Sequence, residues 1–81
     1  MELKDTIELM QSEDYKERFK AEYYQLSIRK KKLEDMLAKW DTGELEFMPT
    51  CPRSLYDGQV KAMTEYLACL EARAAAEHVD L

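Results

Sequence analysis

Glycine, proline, histidine and tryptophan are almost missing from these 81 residues, with two, two, one and one copies respectively. So little glycine excludes a Gly-rich loop that cradles phosphate, and no GxSxG nucleophile elbow is present. The one histidine, His78, sits in the terminal stretch Ala76 to Leu81, where fraying is usual and a catalytic base would be poorly held. No Cys/His spacing suits zinc. The two cysteines, Cys51 and Cys69, follow no apolar leader at Met1 to Asp5 and read as reduced thiols rather than a bridge. No apolar run approaches the ~18–20 residues of a membrane span. The expectation is a soluble, cytoplasmic protein that is not an enzyme and carries no cofactor or metal.

Basic charge is also short overall, with 12 Lys and Arg against 17 Asp and Glu and a net charge of −5. Duplex binding rests on phosphate neutralisation, so nucleic acid is not an expected partner. The deficit is uneven: residues 12 to 40 hold eight of the basic groups against six acids. A local anion site is therefore compatible with an acidic chain.

What is present is helical periodicity. Phe19, Tyr23, Leu26, Lys30, Leu33, Leu37 and Trp40 recur in a 4-3-4-3-4-3 rhythm, the spacing at which two helices interdigitate. Asp14 is the expected N-cap, with Glu17 completing a capping box, and the helix is read over 15–40. Gly43 ends it in the left-handed conformation. A connection over 41–51 follows, whose Leu45, Phe47 and Met48 are too apolar for a free loop and are expected to fold over the helix ends. Thr50 or Cys51 as N-cap with Pro52 in the first turn opens a second helix, read over 52–77, and Ser54 with Asp57 offers a further capping box. Leu3, Ile7 and Met10 predict a short amphipathic helix over 3–10.

Each long helix carries more apolar surface than one neighbour can cover. On the second, Tyr56, Val60, Met63, Leu67, Leu70 and Ala74 form the centre of an arc that Leu55, Ala62, Tyr66 and Cys69 widen. On the first, Ala21, Tyr24 and Ile28 lie opposite the seam. Gly58, inside the second helix, suggests close helix approach. An 81-residue chain also builds a core that supplies only about 3–5 kcal/mol. The expected fold is all-α, one domain over 1–81: an antiparallel two-helix hairpin with a short N-terminal helix, self-associating into a helical bundle.

Beside the seam runs a polar line, Arg18, Glu22, Gln25, Arg29 and Lys32, with Lys30 bordering it. One reading is rim salt bridges between packed helices. The other is an anion pocket: Arg18, Arg29 and Lys30 neutralise phosphate, and Tyr23 offers a ring face for stacking. Gln59 and Arg73, on the edge of the second helix's arc, would contribute an amide and a clamp from the partner helix. Lys30 has a plainer alternative, in which its stem packs and its head reaches water. Arg53, in the first turn after Pro52, opposes the helix dipole and calls for a nearby anion.

The run Asp14 to Gln25 (DYKERFKAEYYQ), with Arg29, Lys32-Leu33, Cys51-Pro52, Gln59 to Leu67 and Leu70 to Arg73, resembles a family of small helical proteins of crAss-like and Firmicutes phages and prophages. In organisation the chain is also similar to the helical-hairpin phage sponges that evade anti-phage defences of the CBASS and Thoeris type by trapping their nucleotide signals. These resemblances imply a homo-oligomer in a host bacterial cytoplasm, with a cyclic nucleotide or ADP-ribose-type ligand between subunits. The alternative is a structural or interaction protein whose helical oligomer binds a host or phage protein.

Overall fold

Asp14 opens the longest helix, and it does so with help from Ser12. In the computed structural model, which describes residues 1–81, Asp14 Oδ1 accepts from the Lys16 N–H at 2.9 Å and the Asp14 N–H donates to Ser12 Oγ at 3.0 Å. The capping box with Glu17 does not form, because Ser12 already satisfies the N–H that the Glu17 carboxylate would have taken. A 3₁₀ turn, Leu3–Thr6, runs into the single turn α1, Ile7–Met10, and is followed by α2, Tyr15–Thr42, and α3, Arg53–Glu77. No strand is present.

Helix α2 runs two residues past Trp40, since Asp41 and Thr42 carry no breaker and the left-handed turn needs the glycine. Gly43 takes φ 76°, its N–H donates to Trp40 O at 3.2 Å, and the Glu44 N–H donates to Lys39 O at 2.9 Å. Those two bonds are a Schellman termination. Pro52 is the N-cap of α3 rather than its first helical residue, and no side chain caps the helix. Arg53 secures the turn instead. Its Nη1 and Nη2 donate to the Asp41 carboxylate at 2.6 and 3.2 Å, and its Nε to Asp57 at 2.9 Å. The anion that Arg53 called for is thus Asp41, and Asp57, engaged by Arg53, does not box with Ser54. The Arg53 guanidinium also lies 5.3 Å from the centre of the Trp40 ring, which meets Tyr56 edge-on at 6.0 Å.

The two long helices pack antiparallel, and all seven seam residues of α2 are buried or half-buried. Phe19, Leu70, Ala74 and Val79 form the buried core, with Tyr23 and Leu26 against it. The C-terminal stretch is therefore tied down rather than frayed. His78 adopts a left-handed φ of 58°, Val79 N–H donates to Ala74 O at 2.8 Å, and Lys16 Nζ donates to His78 O at 3.2 Å.

The face opposite the seam receives the chain's own N-terminal segment. Thr6 and Ala21 are buried, and Gln25, one turn from Ala21, donates to Thr6 Oγ1 at 2.9 Å. Gly58 marks no close approach, since a Cβ there would meet nothing within 4 Å. Leu45 is half-buried at the hairpin end, but Phe47 and Met48 are 57% and 86% exposed, so the connection covers the helix ends only in part. The outline is long, 43 × 24 × 17 Å.

Candidate functional site

The polar line of α2 divides into two halves with different duties. Its N-terminal half is spent inside the chain: Arg18 Nη1 donates to Ser12 O at 2.7 Å, Glu22 accepts from the Tyr66 hydroxyl, and Gln25 holds Thr6. Its C-terminal half is not. Arg29 and Lys32 are exposed, and neither has a carboxylate within ion-pair distance. Successive members four and three apart keep both cations on one narrow face of the helix.

The other candidate residues are mostly engaged. Lys30 is largely covered, and its Nζ sits 3.2 Å from Glu34 one turn on, so the plainer account of that lysine, a packed stem with a solvated head, fits its surroundings. Tyr23 donates to Glu71 at 3.2 Å across the helix pair, and its ring meets Tyr24 edge-on at 5.9 Å. Burial pushes the Tyr23 phenol up, and the hydrogen bond and charge of Glu71 add to it. Arg73 lies over the Phe19 ring, 4.8 Å from its centre, while its Nε donates to Glu77 at 2.9 Å. Gln59 is exposed. Of the six, Arg29 and Gln59 present the polar groups least committed within the chain.

One chain does not gather the six. Fourteen residues of helix separate Gln59 from Arg73, roughly 21 Å at 1.5 Å per residue, and eleven separate Arg18 from Arg29. A cleft of about 150 Å³ lies at the hairpin end and is lined by Trp40, Gly43, Leu45, Phe47, Met48 and Pro49. It contains none of them. No group of three or more His, Cys, Asp or Glu is placed to hold a metal ion.

Tyr66 belongs to the neighbourhood of the candidate site although its role was not legible beforehand. Its hydrogen bond to Glu22 raises its pKa, burial adds to that, and nearby Arg73 opposes both. It thereby ties the outer edge of α3 to the polar line of α2, on the flank where Arg73 also lies. The only advance signal was its place on the edge of the wide apolar arc.

The Sequestin family model matches residues 13–76, which spans both long helices and the connection. No curated protein and no solved structure gives a significant match.

Proposed function

As the chain belongs to the Sequestin family, whose name denotes sequestering, we propose that it is a non-catalytic phage or prophage protein that captures a small anionic nucleotide-type signal between the subunits of a homo-oligomer. The observation that carries this reading is the uncommitted pair Arg29 and Lys32 on an otherwise acidic molecule. A guanidinium without a carboxylate partner is available to grip phosphate in its planar fork. Its neighbour Lys32 adds a point charge one turn on. Because one chain leaves Arg29, Gln59 and Arg73 dispersed, the pocket is completed by a second chain. Lys30 supports the helix surface beside Arg29, and Tyr23 and Arg18 hold its scaffold.

Calorimetry against a panel of cyclic di- and trinucleotides and ADP-ribose derivatives tests the proposal. The expected result is binding tighter than about 10 μM, about −7 kcal/mol, by at least one compound, weakened ten-fold or more by Arg29→Ala. No binding at that level across the panel, with Arg29→Ala identical to the parent, would overturn it.

The exposed Phe47 and Met48 beside the apolar cleft favour a second reading, in which the oligomer docks a host or phage protein through the hairpin end. Under that reading Phe47→Ser with Met48→Ser abolishes the partner's capture from infected cells, while ligand binding is nil throughout.

A further inference from the structure

Helix α3 carries a second heptad seam beside the one that faces α2. Leu55, Gln59, Ala62, Tyr66, Cys69 and Arg73 recur in a 4-3-4-3-4 rhythm, and every one of them is exposed. At 100° per residue this stripe lies about a quarter-turn around the helix from the buried seam. A helix whose buried seam is flanked at that angle by a second stripe, here Leu55, Ala62, Tyr66 and Cys69 with Gln59 and Arg73 between and beyond them, is built to touch two neighbours, as in a four-helix bundle. Here the one neighbour is α2, which engages the tips of Tyr66 and Arg73 and leaves Leu55, Gln59, Ala62 and Cys69 uncovered.

The missing neighbour is a matter of area as well as pattern. The chain exposes 5879 Å², whereas a folded monomer of 9.6 kDa is expected to expose about 5,100 Å². The surplus is about 800 Å², the share that one partner contributes to a standard-size interface. The radius of gyration, 15.1 Å, against about 12 Å for a compact chain of this length, points the same way.

We infer that the outer stripe of α3 pairs antiparallel with the same stripe of a second copy, the two-fold axis crossing α3 at residue 64. The register follows from self-complementarity. Leu55 then faces the partner's Arg73, Gln59 the partner's Cys69, and Ala62 the partner's Tyr66, so a small residue meets a large one on each side of the axis. A parallel pairing would instead set Arg73 against Arg73 and oppose no small residue to Tyr66.

This inference rests on the sequestering reading and gives it a location. Within one chain Tyr23 meets Glu71 and Lys16 meets His78, so position 29 of α2 lies level with 64–65 of α3. Both copies of Arg29 therefore stand at the height of the two-fold axis, on the flank where Glu22 of α2 meets Tyr66 of α3. Gln59 and Arg73, distant within one chain, come within about one helical turn of each other across the interface. An anionic ligand with two-fold or near two-fold disposition of its phosphates fits between the paired Arg29 side chains.

Disulfide trapping tests the register without any ligand. In a Cys51→Ser background that retains Cys69, Gln59→Cys should give a covalent dimer under mild oxidation at least ten-fold faster than either single-cysteine form. Leu55→Cys, one turn out of register with Cys69, should not exceed those controls. A dimer formed as fast by Cys69 alone would establish parallel pairing and overturn the inference. Equal rates in all variants would likewise overturn it, and retained nucleotide binding in that case would leave the sequestering reading standing on another interface.

Discussion

Arg53 gathers more of the hairpin's turn than any other residue: two carboxylates accept from it and the Trp40 ring lies beneath it. Its hydrogen bonds hold the Asp41 carboxyl below the usual carboxylate range. A carboxyl depressed in the folded state contributes its stability above its unfolded pKa and loses it as pH falls through the folded value. Urea midpoints should therefore hold from neutral pH to about pH 5 and fall below about pH 4. Asp41→Asn should lower the neutral midpoint and flatten that acid limb, and an unchanged acid limb would show that other carboxyls govern it. Gly58 supplies a second test at this scale. With open space around its Cβ position, Gly58→Ala should raise stability by up to about 1 kcal/mol through helix propensity. A loss on substitution would mean that something does approach this position closely.

At the scale of elements, the helices and their buried faces were legible because burial repeats every three to four residues and leaves a period in the sequence. Phe19, Leu37, Leu70 and Ala74 are buried where that period puts them. Caps were legible only in part. Gly43 had one conformation to offer, whereas the Asp14 N–H had two possible acceptors and Asp57 two possible donors, and local competition decided each. The spacing of Leu3, Ile7 and Met10 predicts an amphipathic N-terminal segment, but that it lies on the face of Ala21 is visible only in the tertiary hydrogen bond from Gln25 to Thr6. That the C-terminal stretch is held is not legible in the sequence, because its single buried anchor, Val79, has no periodic neighbour. Val79→Ala should cost about 2 kcal/mol in urea unfolding, the loss of roughly two buried methylenes plus the space they leave. An effect below about 0.5 kcal/mol would mean that the stretch does not anchor the core.

For the whole molecule, residue types suited to an anion are legible in the sequence, but whether they meet is not. Arg18, Tyr23, Lys30 and Arg73 carry the right chemistry, yet each has found a partner within the chain: a carbonyl, Glu71, Glu34 and Glu77. Spacing along a helix reports the face a residue occupies and says nothing of which neighbour claims it first. Arg29 and Gln59 remain uncommitted within the chain, and the pairing of two copies we propose is what would bring them together. We propose that an anionic ligand is held by an assembly and not by one chain, and native mass spectrometry of the protein with the tightest-binding nucleotide of the panel distinguishes the two. The predicted result is that every ligand-bearing species contains at least two chains of 9.6 kDa and that Arg29→Ala removes the ligand while leaving the assembly. A ligand carried by a single chain, or assemblies that bind as well without Arg29, would contradict it.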